Sequence, residues 1–458
     1  MNGRAWREPW GIAELFIVSQ TALPAILYLP GTQDIRLSLR MGAFVIPLVL
    51  LAWWLLRRGE SEHEESHPVV PWAIGIVALV ALMFLHPMTT SVQGGLAHLA
   101  LYVAIISPLF WAPALVRTPT RLRRVMALLL ICNGINSLVG VLQVYDPARW
   151  LPDQFSRIVT QSELGLGPVS YLGPNGETIV RPPGLFDTPG AVAGPGMYAA
   201  LLGLIFAATR FKVWQRVACL GLAFAGLAAI YLSQVRISIV VAAAMMIVYF
   251  AVLVVQRRFS TATLFGATSG LALAGALIFT VLLAGAEISN RFATLFEDDP
   301  LTVYYVARGG QLHYALNDTL VEFPFGAGLA RWGMSAVYFG HATLDTPPLW
   351  AEIQLAGWII DGGVLLMLTY CGALVVTALA ELRVATQARE PMLAACGAAV
   401  FAANLAPMAL IFTFTPFVTQ VGVQYWFLAG ALHGVVQGTR KGVPGAEAAE
   451  TNLFGDAK

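Results

Sequence analysis

Lysine is scarce in this chain: only three of its 27 basic residues are lysines, and the rest are arginines. Charge of either sign is thin, at 12% of 458 residues, against about 25% in an ordinary soluble domain. That shortage excludes a solvated globular protein. The lack of any basic cluster longer than a short loop argues against nucleic-acid binding. Cysteine is sparse too, and Cys132, Cys219, Cys371 and Cys396 all lie in apolar runs. They read as buried free thiols, with no disulfide framework or metal site. No small-residue cleavage motif follows the first apolar run, so a removable signal peptide is not expected. What the chain has in abundance is apolar sequence, at 57% hydrophobic residues and a mean hydropathy of +0.70. The runs are long and unbroken, not alternating, which implies helices crossing a membrane and not a barrel.

Windows of about 20 residues place spans near 10–29, 41–56, 70–86, 96–116, 125–144, 190–209, 213–233, 237–255, 262–285, 353–380, 392–413 and 417–437. The expected fold is an all-α polytopic membrane protein of about 12 transmembrane helices. It would form a single integral-membrane domain over 1–441, with a disordered cytoplasmic tail over 442–458. Alternate connections and both tails hold 18 of the basic residues, including all three lysines, and the opposite side holds nine arginines. By the positive-inside rule the first side is cytoplasmic and both termini lie there. The expected location is a bacterial inner membrane.

Two connections on the outer side are long, near 145–189 and 286–352. Both are rich in aromatic residues, Pro and Gly, a composition that suggests ordered caps at the membrane interface. In the second, Val306, Leu312, Leu316 and Leu320 recur at roughly helical spacing, predicting an amphipathic helix near 302–322 that ends at Pro324. The large loop between spans nine and ten is therefore expected to be helical.

The nine outer arginines matter because guanidinium is a fixed, forked donor that matches phosphate oxygens in pairs. Arg36 and Arg40 read as ordinary headgroup-facing residues. Arg181 and Asp187 lie in a rigid Pro/Gly turn, Arg181-Pro-Pro-Gly-Leu-Phe-Asp187-Thr-Pro-Gly190. Arg236 sits at a helix mouth after Ser233-Gln-Val, where leaving a charge idle is expensive. Arg308-Gly-Gly-Gln311 opens the loop helix, close to His313. Glu322-Phe-Pro-Phe-Gly-Ala-Gly328 breaks it. Glu352-Ile-Gln354 begins span ten, and Asp361-Gly-Gly363 follows about 13 Å deeper. A carboxylate at that depth is paired, protonated or facing water. Asn133, Asn136 and Gln143 on span five read as interhelical hydrogen-bonding residues or acceptor contacts.

The order of these stretches resembles the O-antigen ligase and O-antigen polymerase superfamily of bacterial envelope enzymes, over roughly residues 130–370. Arg181, Gly184, Phe186 and Pro189 match that family's R-x-x-G-x-F-x-x-P turn. Gln234-Val-Arg236-Ile-Ser238 stands where the family has an S-R-G-like helix mouth. Arg308, His313 or Tyr314, Pro324, Gly326 and Gly328 are similar to its R-x-x-x-W/H/Y helix leading into P-x-x-G-x-G. Glu352 and Asp361-x-Gly363 keep the spacing of its final motif. The family's ligases bear a histidine where this chain has Glu352, and Arg236 is followed by Ile instead of Gly. A polymerase-like member therefore fits better than a ligase.

The resemblance implies an inverting glycosyltransferase that needs no metal or other cofactor. Its donor would be an undecaprenyl-diphosphate-linked oligosaccharide and its acceptor a glycan or lipid-linked sugar hydroxyl, in lipopolysaccharide or exopolysaccharide biosynthesis. Membrane lipids would be its other partners. Arg181, Arg236 and Arg308 are the candidates for holding the diphosphate, with Arg291 and Arg331 in reserve. Glu352 is the candidate base, with His341 in reserve. Asp187, His313 and Asp361 complete the candidate set. A flippase or other transporter of lipid-linked glycans is the alternative, since twelve spans would suit it equally.

Overall fold

The computed structural model describes residues 11–29, 31–57, 65–156, 159, 166–173, 175–209, 212–285, 293, 299–341, 343 and 346–441. The chain is mostly helical. In order come α1 (Ile12–Ile26), α2 (Arg36–Arg57), α3 (Val70–Phe84), α4 (Val92–Ile106), α5 (Pro108–Leu115), α6 (Pro119–Tyr145) and the short α7 (Pro147–Trp150). Then follow α8 (Ala193–Ala208), α9 (Val213–Ser233), α10 (Arg236–Val255) and α11 (Phe259–Ala284). After the second long connection come α14 (Gln354–Gln387), α15 (Pro391–Leu410) and α16 (Gln420–Arg440), with α12 and α13 lying inside that connection. Among the described residues, eight helices, counting α4–α5 as one run, are long and apolar enough to cross a membrane. α1, α3 and α8 are shorter apolar helices. Each apolar stretch read from the sequence coincides with a helix or a run of helices.

Local chemistry sets the helix ends. Ser91 caps α4 by accepting from Gly94 N at 2.9 Å, and Thr118 caps α6 ahead of Pro119, filling orphan donors of the first turn. Packing uses small residues where helices approach closely. Gly430, Gly434 and Gly438 recur every fourth residue on α16 and face the backbone of α5 and the residues after it. A Cβ at Gly430 would lie 2.8 Å from Pro108 O, and one at Gly434 2.5 Å from Val116 O. This is the small-xxx-small solution to packing without a hydrophobic drive between helices. Trp358 stacks on Tyr370 at 4.2 Å, with Phe417, Tyr425 and Trp426 around them. Leu271, Ile278 and Leu282 on α11 stay exposed, as side chains facing lipid would.

On the basic face, Glu14 of α1 is fully buried between two arginines of α6. Arg121 reaches it at 2.9 Å and Arg124 at 2.7 Å. A buried carboxylate is tolerated only with such partners, so this pairing fixes α1 against α6.

The first long connection departs from an all-helical expectation. β1 (Ser170–Leu172) and β2 (Thr178–Val180) form an antiparallel hairpin with Tyr171 opposite Ile179. In the second, a helical rod, α12, runs over 300–322, but not as a regular α-helix. Tyr305–Gly309 and Ala315–Thr319 wind as π turns between α-helical pieces. Each π turn inserts a residue, so the 3.6-residue stripe predicted there does not stay on one side. Leu312 and Leu320 pack with Ala315 against Ile353, Ala356 and Ile359, while Val306 and Leu316 face outward. A short helix, α13 (Gly333–Phe339), follows and packs on α4. The 442–458 tail lies outside the described residues.

α14 is broken in its upper part. Gly362 and Gly363 leave helical geometry, Gly363 at φ +64°. The Pro324–Ala327 segment fills the break. Val364 N donates to Pro324 O at 3.0 Å, and Ala327 N donates to Ile360 O at 2.7 Å. The backbone groups freed by the break are thus satisfied by the incoming loop, as burial requires.

Candidate functional site

Three polar constellations gather at the helix ends opposite the basic face, and burial separates their roles. The first is built on the 181–190 turn. Gly184 N donates to Gln143 Oε1 at 2.8 Å, Gln143 Nε2 donates back to Gly184 O at 2.7 Å, and Leu185 N donates to Asn136 Oδ1 at 2.9 Å. Asn136 and Gln143 of α6 therefore serve as a cradle for the turn. Gln143 Nε2 also donates to Tyr28 OH at 3.0 Å, tying α6 to the end of α1 as the interhelical reading expects. Asn133 bonds only within its own helix, to Leu129 O. Tyr28 donates to the carbonyls of Gly184 and Phe186.

Asp187 is buried and meets two arginines at once. Arg36 pairs with its Oδ2 at 2.6 Å and Arg40 with its Oδ1. Arg36 also donates to Gln154 O, and Arg40 to Ser156 Oγ at 3.1 Å. The reading of Arg36 and Arg40 as idle headgroup-facing residues is corrected here: both are bound into the first loop. Asp187 is their counterion, so it is not presented to a ligand. Gly190, which closes the turn through a hydrogen bond to Arg181 O, abuts Ser233 and Val235. The Arg181 turn and the Arg236 helix mouth are therefore neighbours. Gln234 takes a left-handed conformation there (φ +53°), reversing the chain between α9 and α10 so that Arg236 opens the next helix.

The second constellation joins Arg308 to Glu352. The two side chains form an ion pair and are both partly open to solvent, at 41% and 32%. Arg308 lies in the first π turn of α12, and Glu352 two residues before α14. Glu352 N donates to Gln311 Oε1 at 3.0 Å. Gln354 N donates to Ile411 O and Phe414 O, while its side chain accepts from Phe417 N. These bonds fix the start of α14 under the loop helix. Partial burial holds the Arg308 guanidinium below its ordinary pKa. His313 is exposed beside Tyr305, and His341 is exposed in the loop after α13.

The third constellation is closed. Asp361 is fully buried and accepts three hydrogen bonds: His98 Nε2 at 2.9 Å, Tyr102 OH at 2.7 Å and Trp332 Nε1 at 2.8 Å. The other ring nitrogen of His98 bonds Ser335 Oγ. Both ring nitrogens of His98 are thus engaged. Asp361 is thus a structural tie between α4, α14 and the cap, and not a group open to substrate. Arg331 is buried as well. Its guanidinium donates to Pro347 O and Ala327 O, so this reserve candidate for the diphosphate is spent on clamping loop carbonyls. Arg291 lies outside the described residues.

The sequence reading passed over His98 and Tyr102. Their signal was available: two polar aromatic residues four apart share one face of an otherwise apolar helix. Among the described residues, no group of three or more His, Cys, Asp or Glu side chains could hold a metal ion. The sequence matches no family model and no curated protein.

Proposed function

We propose that this protein is a polytopic membrane glycosyltransferase of the O-antigen polymerase and ligase kind, with twelve spans and its site on the face opposite the basic loops. It would extend or transfer an undecaprenyl-diphosphate-linked oligosaccharide. The observation that carries this reading is the Arg308–Glu352 ion pair, which unites two residues 44 positions apart. One is a phosphate-type donor and the other a base-type carboxylate. Exposure decides what such a pair can do. A buried pair such as Asp187 with Arg36 and Arg40 costs about 3–5 kcal/mol to break and is structural. A half-open pair is worth roughly 0–1 kcal/mol, so an incoming diphosphate can draw the guanidinium away.

In this reading Arg308, together with Arg181 and Arg236, takes up the charge that grows on the departing diphosphate as the bond between anomeric carbon and phosphate oxygen breaks. Glu352, released from its partner, accepts the proton of the acceptor hydroxyl as the new glycosidic bond forms. Direct displacement inverts the anomeric centre. Glu352 fits this role better than His341, which sits on an exposed loop where, among the described residues, no hydrogen bond orients its ring.

The test is an assay of purified protein with a lipid-linked repeat unit and EDTA present. A ladder of longer lipid-linked chains, lost in Glu352→Ala and Arg308→Ala, supports a polymerase. Transfer of one glycan to an added acceptor supports a ligase and brings His341 forward. No product from a validated substrate defeats both.

One observation favours a second reading. A helix broken beside a buried Asp–His pair is an arrangement found in transporters. Translocation of a labelled lipid-linked glycan without elongation, abolished in Asp361→Asn, would select the flippase.

A further inference from the structure

A pocket lies at the end of the molecule opposite the three polar constellations. It is a cavity of about 220 Å³ between the start of α3 and the basic-face ends of α14 and α16. Its walls are largely apolar, with Ala380, Leu432 and Val436 among them. Into this setting α14 places Glu381, whose side chain is buried. Asn404 Nδ2 donates to Glu381 Oε1 at 2.6 Å. Glu381 Oε2 has no hydrogen-bond partner among the described residues. Gln437, on the facing wall, spends its amide nitrogen on Glu65 O, and its Oε1 is likewise unmatched. Two buried acceptor oxygens without a donor in one apolar cavity are a costly arrangement for the empty protein. Burial raises the Glu381 carboxyl to about 8 in the empty protein, and a bound ammonium would supply N–H donors to both oxygens and draw the carboxyl back to its charged form.

The mouth has the opposite character. Arg383 and Arg440 line it, the latter paired with exposed Glu65 at 2.6 Å. Glu381 sits six residues before the end of α14, about 9 Å inward. A ligand that fills this pocket therefore presents a cationic donor to the interior and an anionic group to the rim.

We propose that this pocket binds a phosphoethanolamine zwitterion, its ammonium directed to Glu381 Oε2 and Gln437 Oε1 and its phosphate to the arginines of the mouth. Such a group can be the head of a phospholipid in the adjoining leaflet or a free small molecule. The site is independent of the glycosyltransferase reading, so failure of one leaves the other standing.

Native mass spectrometry of the full-length protein in detergent provides the test. The probes are phosphatidylethanolamine, phosphatidylglycerol and free phosphoethanolamine. The expected result is retention of phosphatidylethanolamine at least tenfold over phosphatidylglycerol. That preference should be lost in Glu381→Gln, which removes the charge but keeps the shape. It should also be lost in Ala380→Phe, which fills the cavity and leaves Glu381 in place. Displacement by free phosphoethanolamine would identify a soluble source, and resistance to it a lipid one, both supporting the ammonium site. Equal retention of the two lipids, or a preference unchanged in monodisperse samples of both variants, would overturn the proposal.

Discussion

Replacing Asp361 by alanine should be far more damaging than replacing the partly exposed carboxylate Glu352. The side chain is fully buried and accepts from His98, Tyr102 and Trp332. Truncation strands three donors in a dry interior, at about 1–3 kcal/mol each. The donors share one centre and their losses are not additive. Breaking a buried charged network typically costs about 3–5 kcal/mol, so we expect about 4 kcal/mol. At roughly 2 °C per kcal/mol for a large chain, thermal unfolding in detergent should fall by about 8 °C. Glu352→Ala is the internal control. Its pair is half open and worth at most about 1 kcal/mol, so melting should move by no more than about 2 °C. Fluorescence-detected size-exclusion after a heating series measures both. Equal losses for the two variants would refute the separation of a structural from an exchangeable carboxylate. Asp361→Asn keeps one acceptor oxygen and should fall between them.

Three further outcomes follow from the same geometry. Asp187→Asn should loosen Arg36 and Arg40 together and expose the first loop to trypsin, whereas Arg308→Ala should leave that cleavage pattern unchanged. Gly363→Ala should fail to accumulate as a folded protein, because the residue sits at φ +64° and an added Cβ would run into the Pro324 carbonyl. Expression with a fluorescent fusion reports this directly. Burial, with His433 beside it, pushes the His67 imidazole from 6.5 down to about 3. Its stabilising contribution is complete above about pH 6.5 and is lost as pH falls toward 3, because the unfolded chain takes up a proton that the folded one refuses. By pH 5 this amounts to about 2 kcal/mol, and His67→Gln should flatten that part of the stability curve.

The helices were legible because twenty apolar residues in a row admit few other structures. The turn at 181–190 was also legible, since Pro and Gly fix it locally. The partners of its charges were not. Asp187 meets Arg36 and Arg40 across about 150 residues of sequence, and nothing in local spacing encodes such a meeting. For Arg331 the reason is different. A buried guanidinium can be satisfied by backbone carbonyls as well as by phosphate, and sequence cannot tell which acceptor will arrive. The stripe on α12 misled because a π turn leaves no compositional mark.

The broken helix α14 also has a consequence for biogenesis. Pro324–Ala327 is synthesised before Ile360–Val364, so the plug exists before the gap it occupies. Until the plug is in place, the amide of Val364 and the carbonyl of Ile360 have no mates, and α14 cannot settle into its final shape. Docking of the Pro324–Ala327 segment is therefore a precondition for completing the helix that it plugs. A mutation that delays this docking should leave the upper part of α14 unfinished while the helices before it are already formed.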